Sequence, residues 1–402
     1  MSGKPTLLFI SPQFLFPLDA GGKIRSANIL RHLKGGAFNT RLLSPATASE
    51  RVRWSAEVTM LADRIEFFAP SPKNLIWRVR RALGFMTSIP ISAFSDADAP
   101  FRNAVATAIR DRPDLIVFDY VQSLAASPAQ LNAPHLFFAH NVETEILERH
   151  AGNARGAMKV VWAREAAKMR RFERMACERA AGVIAVSDRD AETFRRRFNA
   201  AATFAIPTGV DPDRFRFSPP PDNAPPILVF TGSIDWKANQ DGLLWFMDEV
   251  WPLIVSQRPD ASVIVIGKNP PRAMINRGKG MNWRFTDFVE DVRDHAKGAA
   301  FFIPLRVGGG TRIKAYEAMS MGLPVVSTAL GVEGLPVEND RHLLIADGAC
   351  AFAAAALRLL DDASLRARLA SAARALVERN FTHEAAARAF ERSCLEILNK
   401  GR

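Results

Sequence analysis

The sequence predicts an α/β fold of two Rossmann-like domains facing each other across a cleft, and three observations carry that prediction. The chain has 402 residues, more than one hydrophobic core usually holds, since single cores stop growing near ~250–300 residues. Short continuous apolar runs alternate with helix-period segments in both halves, the pattern of parallel sheets covered on both faces. Finally, residues 217–226 hold five prolines in ten positions, a stretch that continues neither a helix nor a central strand and reads as a semi-rigid linker.

Taken in order, strands are expected at 7–11, 115–118, 135–139 and 182–186, each a short buried run. Helices are expected at 24–34, 102–111 and 157–181. After the prolines, strands are expected at 227–231, 262–267, 300–304 and 324–327, and helices at 239–257, 312–321 and 349–360. A last helical pattern, 384–398, carries Ala386, Phe390, Cys394 and Ile397 on one face. It packs on its own domain or crosses back to the first. The domains then read as 1–210, a linker at 211–226, 227–383, and the terminal helix 384–402.

Composition narrows the class. Hydrophobic residues make up 48% and charged residues 24%, which supports large cores and excludes a disordered chain. No apolar run approaches the ~20 residues of a membrane span. The opening run Thr6-Leu7-Leu8-Phe9-Ile10 reads as a strand, not a secretory leader. Cys177, Cys350 and Cys394 form no ligand spacing or disulfide framework; three buried thiols in a reducing cytoplasm are expected. Of the net charge of +11, residues 1–205 carry +10. Such a surface suits anionic lipid, nucleic acid or an acidic substrate.

Parallel sheets bind ligands at the carboxyl ends of their strands, so candidate residues are sought there. Gly308-Gly309-Gly310 follows the 300–304 strand and precedes a helix that stops at Gly322. Glycines let backbone approach a ligand, and the helix start offers free N–H groups and a partial positive charge to an anion. Thr311, Arg312 and Lys314 lie at that start, and Glu317, one turn beyond Lys314, can accept hydrogen bonds from vicinal hydroxyls. A flexible loop and a solvated ion pair are the plain alternatives. There is no G-K-[ST] ending, so this is no P-loop. Lys237, after the 227–231 strand, is a point charge suited to phosphate or an ordinary solvated lysine. Gly21 and Gly22 precede the first helix, with Arg25 as a helper; they do not make the dinucleotide pattern G-x-G-x-x-G. His140 ends the 135–139 strand, where a lone histidine is structural or functional.

The run Asp287-Phe288-Val289-Glu290-Asp291-Val292, then Pro304-Leu305, the three glycines, Lys314, Glu317-Ala318-Met319 and Gly322-Leu323-Pro324-Val325-Val326, resembles the family 4 glycosyltransferases of GT-B fold, specifically through the second half and loosely in the first. The subgroup it looks most like makes bacterial exopolysaccharide or lipid-linked glycans. The resemblance implies a retaining enzyme using a UDP- or GDP-linked sugar as co-substrate, with no metal or other cofactor. It implies that Glu317 binds the ribose hydroxyls, that the base lies near Phe288 and Val289, that Arg312 or Lys314 holds the diphosphate, and that His140 hydrogen-bonds the sugar. The first glutamate of the family's Glu-x7-Glu motif falls at Gly309, a departure that leaves the backbone of Gly309, Gly310 and Thr311 to take over part of sugar recognition. Ser233 stands near the family's arginine after the 227–231 strand, leaving Lys237 for the phosphates.

A glycan or lipid-linked acceptor is the expected partner, with peripheral contact to an anionic membrane through the acid-free, apolar-and-basic stretch 73–85 and the segment 155–179, which holds eight basic and three acidic residues. Each also reads as an ordinary solvated helix face. The chain is thus expected in the cytoplasm, at the inner face of the plasma membrane. Two other classes fit less well. A sugar-nucleotide epimerase or hydrolase would need in-line carboxylates. A non-catalytic glycan-assembly or nucleic-acid binder would need, for nucleic acid, an aromatic-basic recognition motif that the sequence lacks.

Overall fold

The computed structural model describes residues 3–287, 289, 291–307 and 312–400. The chain divides into two compact units. One takes the described residues up to Thr208 and those from His383 on; the other takes those from Gly209 to Thr382.

The first unit is built on a seven-stranded parallel sheet of order β3-β2-β1-β4-β5-β6-β7. Its strands are β1 Thr6–Ile10, β2 Asn39–Pro45, β3 Arg64–Phe68, β4 Leu115–Asp119, β5 His135–Phe138, β6 Gly182–Ala185 and β7 Thr203–Ala205. The interior strands are buried along almost their whole length, β1, β4, β5 and β6 being nearly all apolar, as expected of strands covered on both faces. Helices used below are α1 Gly21–Leu33, α2 Leu75–Gly84, α3 Glu143–Asn153 and α4 Ala157–Arg179. The second unit has a six-stranded parallel sheet, β10-β9-β8-β11-β12-β13, from β8 Ile227–Thr231, β9 Ser262–Ile266, β10 Trp283–Thr286, β11 Ala300–Ile303, β12 Val325–Ser327 and β13 Leu344–Ile345. Helices α5 Lys237–Trp245 and α6 Ile313–Met321 follow β8 and β11.

The terminal helix, α7 His383–Lys400, belongs to the first unit. It packs along α1. Phe390 meets the rings of Phe9 and Phe138, with centroids 6.5 and 5.2 Å apart, and Glu391 accepts the Ala37 N–H at 2.6 Å. Cys394 and Ile397 complete that buried face.

Three readings need correction. The proline-rich stretch, expected as a semi-rigid linker, is bonded to the second unit and counts as part of it. Arg366 donates to the carbonyls of Pro221 and Asp222, Arg374 to that of Phe215, and Ser218 N–H to that of Met321. The left-handed Gly322, φ 80°, leaves a Cβ no room against Phe217 and Ser218. Cys350 is exposed, while Cys177 and Cys394 are buried. The long helix expected at 239–257 is α5 followed by a π-helical turn, Phe246–Val250, and Trp251–Val255; Pro252 supplies no N–H to continue a regular ladder.

Candidate functional site

In the first unit, polar side chains converge at the carboxyl ends of β1, β4 and β5. Asp119 closes β4 after four apolar residues and is fully buried. A buried carboxylate must be saturated with donors, and this one is. Oδ2 accepts the Ser11 hydroxyl at 2.9 Å. Oδ1 accepts the Ser26 hydroxyl at 2.9 Å and His140 Nε2–H at 2.7 Å. With its proton fixed on Nε2, His140 keeps an acceptor lone pair on Nδ1. Burial pushes the imidazole toward its neutral form, against the pull of Asp119. The Tyr120 ring lies 4.1 Å from that of His140. Tyr120 itself sits at φ 61°, a left-handed conformation uncommon for so bulky a residue and typical of functional sites.

Two first-unit candidates behave unlike the expectation. Gly21 and Gly22 are the first residues of α1, not a loop before it. What approaches Gly22 is protein: a Cβ there would fall 1.9 Å from Tyr120 Oη. Arg25 is no surface helper. It is 1% exposed and gives its guanidinium to the carbonyls of Ala139 (2.6 Å), Ala185 (2.9 Å) and Ile206 (2.7 Å), with Phe138 4.1 Å below. It ties the ends of β5, β6 and β7 together.

The turn carrying His140 is clamped from behind. Glu173 of α4 accepts the N–H groups of Glu143 and Thr144 at 2.8 and 3.0 Å, capping the start of α3. Its burial pushes it up to about 8.

In the second unit, the side chains of α6 converge at the carboxyl ends of β8 and β11. Arg312, at φ 52°, is the residue before the helix and is buried; its Nη2 lies 3.6 Å from Glu333. Lys314 is half-buried. Its ammonium donates to Asn239 Oδ1 at 3.0 Å, lies 4.2 Å over the Phe230 ring, and sits 3.0 Å from where a Gly232 Cβ would be. Burial, aided by Arg312 and opposed by Glu317, lowers it to about 7. Glu317 is raised by burial to about 7 as well, against Arg214 and Lys314. Two groups of opposite charge type that both titrate near pH 7 and stand one helical turn apart are a pair ready to respond to a charged ligand.

Lys237 is exposed and, among the described residues, donates to Gln240, at 3.2 Å. The loop between β8 and α5 is held by Asp235, which accepts Ser233 Oγ and Asn269 Nδ2 at 2.6 and 3.0 Å. Gly267 is required beside it, since a Cβ would meet Gly232 O at 1.8 Å. Val289 is half-buried against the second unit's core. Phe288, Gly308, Gly309, Gly310 and Thr311 lie outside the described residues. A surface cavity bordered by Arg216, Lys297 and Met321 opens at the amino ends of β11 and β12, away from these groups. Among the described residues no cluster of three His, Cys, Asp or Glu side chains is arranged to hold a metal ion, and no helix is long and apolar enough to cross a membrane.

The sequence reading missed Asp119, Tyr120, Ser11, Ser26 and Asn239. The available signal was an acidic residue at the end of an otherwise apolar strand, Leu115-Ile116-Val117-Phe118-Asp119.

Comparison with known proteins adds to this geometry. Residues 225–362 match the model for glycosyl transferases group 1, and residues 53–214 that for glycosyltransferase family 4. An uncharacterized protein in the cps region of Klebsiella pneumoniae is 27% identical over 135 residues, 31% of this chain and 35% of the relative. A GDP-mannose-dependent monoacylated alpha-(1-6)-phosphatidylinositol monomannoside mannosyltransferase of Corynebacterium glutamicum is 26% identical over 228 residues, 48% of this chain and 56% of the relative. The matched stretches thus span about a third and about half the length of these curated relatives. The structure of Anabaena HepE in complex with UDP and glucose superposes with a TM-score of 0.65 over 97% of this chain and 99% of that one, at 15% identity.

Proposed function

The chain belongs to the family 4-like glycosyltransferases of GT-B fold, and on that premise we propose that it transfers a sugar, with retention, from a UDP- or GDP-linked donor to a glycan or lipid-linked acceptor in cell-surface polysaccharide assembly, at an anionic membrane face. The observation that carries the donor reading is the placement of Lys314 and Glu317 one turn apart at the start of the helix after β11, with the Lys314 ammonium seated between Asn239 and the Phe230 ring. Similarity to a GDP-mannose-dependent enzyme acting on a lipid and to a fold that holds UDP supports the donor class and acceptor. Similarity to a protein in a cps region supports the pathway.

In this reading Lys314 meets the diphosphate and Glu317 accepts the ribose hydroxyls. As the bond between the anomeric carbon and the phosphate oxygen breaks, charge grows on the departing diphosphate, where Lys314 and the helix start stabilise it. The acceptor oxygen bonds to the same face of the anomeric carbon, and its proton passes to the leaving phosphate oxygen. No protein carboxylate and no metal is given a part in this step. His140, neutral and oriented by Asp119, accepts a hydrogen bond from a sugar hydroxyl through Nδ1. Asp119 is therefore a positioning residue.

The test is titration of the full chain with a panel of UDP- and GDP-sugars, followed by transfer from the tightest donor with the product's anomeric configuration read by NMR. Saturable binding to one donor and a retained configuration are expected. Inversion sinks the same-face step. Absence of affinity for every donor, with salt-steep binding of nucleic acid instead, sinks the enzyme reading.

A further inference from the structure

A surface helix ordinarily turns its apolar stripe toward its own core and its charges to water. Helix α2 does the reverse. Leu75, Val79 and Leu83 are spaced four apart and so share one face, and Met86 stands in the turn just past the helix end. That face is open: the four side chains are 73, 52, 54 and 78% exposed. The inward side is fastened by cations instead. Arg80 donates to the carbonyls of Phe94 and Ala97 at 3.1 and 2.9 Å. Lys168 of α4 donates to those of Gly84 and Phe85 at 3.0 and 2.9 Å. These are buried or part-buried bonds to backbone, so rolling the helix over to hide its stripe would leave polar groups unpaired.

Cations predominate around the stripe, with Asp96 as an acid within electrostatic reach of Arg81 and Lys73. Lys73, Arg78 and Arg81 are exposed beside it, and residues 67–95 contain no Asp or Glu. The start of α4 repeats the chemistry. Met158 and Val160 are 50 and 68% exposed with Lys159 between them, and Arg164, one turn on, lies over the Phe85 ring at the end of α2. A second copy of this chain, docked through the same face about a two-fold axis, would set these cations against each other. A bilayer carrying anionic headgroups pairs with them while its acyl boundary takes the stripe.

We propose that α2, with the first turns of α4 beside it, is the membrane-docking surface of this protein, lying in the plane of an anionic phospholipid interface with Leu75, Val79, Leu83 and Met86 inserted. This deepens the lipid-linked acceptor reading and rests on it for biological purpose, though binding itself is measured without any acceptor.

The test is flotation of the full chain with vesicles of phosphatidylcholine alone and of phosphatidylcholine mixed with phosphatidylglycerol, with donor affinity measured on the same preparations. Wild type should float only with the anionic vesicles and release as salt rises. Arg78→Gln with Arg81→Gln should bind roughly thirtyfold more weakly, at about fivefold per charge. Val79→Glu with Leu83→Glu changes only exposed positions, so it should keep its unfolding midpoint and donor affinity while losing flotation. Equal flotation with both vesicle types, no flotation by wild type, or undiminished flotation of the Val79/Leu83 variant overturns the proposal. So does a wild-type dimer in solution that this variant splits. Loss of donor binding with flotation intact would instead strike the transferase reading alone.

Discussion

Arg25 and Lys314 occupy comparable places in the two units. Each is a cation near the start of a helix that follows an interior strand. Arg25 gives its two terminal nitrogens to three backbone carbonyls, leaves its buried Nε–H without a partner among the described residues, and is closed off from water. Lys314 has, among the described residues, an amide oxygen and an aromatic face as partners, keeps a half-open side chain, and titrates near 7. A planar fork that bonds several acceptors at once suits mortar; a single titrating ammonium suits a site whose charge is to be called up by a ligand. The residue type at a strand end therefore does not by itself make a binding residue. Whether water and a ligand can still reach it does.

The sharpest way to break this contrast is Arg25→Met, which keeps bulk and removes the donors. The Ala139 and Ile206 carbonyls lose their donors and that of Ala185 keeps the Ile206 N–H, so stability should fall by about 3–5 kcal/mol, read as a lower urea midpoint. A loss under 1 kcal/mol would mean that Arg25 is not mortar. Next, Glu317→Ala should leave the urea midpoint near wild type and weaken donor binding by roughly tenfold to a hundredfold, the worth of hydrogen bonds to a charged acceptor. Unchanged affinity in calorimetry would remove Glu317 from the site. Gly22→Ala should cost about 1–3 kcal/mol by overpacking, because its Cβ must displace the Tyr120 hydroxyl. Tyr120→Ala in the same chain should recover most of that loss, a coupling measurable by a double-mutant cycle.

A pH titration sharpens the Lys314 side. Lys314 must be protonated to meet a diphosphate and Glu317 deprotonated to accept hydroxyls, and both start near 7. Donor affinity should therefore peak near neutrality. It falls on the alkaline side as Lys314 loses its proton, and on the acid side as Glu317 gains one. Lys314→Met should abolish the alkaline limb and Glu317→Gln the acid limb. A profile that keeps both limbs in both variants would assign the titration elsewhere, since the two apparent values belong to the pair. The smallest effect is expected of Lys237→Ala. Its ammonium is exposed and, among the described residues, bonds to one amide, so stability should move by less than about 0.5 kcal/mol. A large loss of donor affinity would return the phosphate role to Lys237.

The fold was legible where burial made the sequence monotonous. Interior strands such as β1, β4, β8 and β11 are plain apolar runs and were read within a residue or two. The missed strands have particular causes. Strand β2 is interior but carries Arg41, buried and paired with Glu66 and Asp111 at 2.7 and 2.9 Å, so a charge interrupts its run. Strands β3, β7, β10 and β13 are sheet edges, short or mixed in character. The site was half legible. Lys314 and Glu317 announce themselves through spacing on one helix. The Asp119 network does not, because its donors come from residues 11, 26 and 140, which only the folded sheet brings together. Arg25 misled because a sequence displays a charge but not the carbonyls waiting for it.

The return of α7 to the first unit sets an order on the protein's making. During synthesis, residues up to Thr208 emerge first, yet Phe390, Cys394 and Ile397 are part of their core. The nascent first unit must wait, with the surface around Phe9 and Phe138 uncovered, until the second unit has been translated. The second unit's chain is complete at Thr382 and is free to fold before the first is finished. Vectorial folding is thereby inverted, and a ribosome stalled before residue 383 would hold a first unit that is still a client for chaperones.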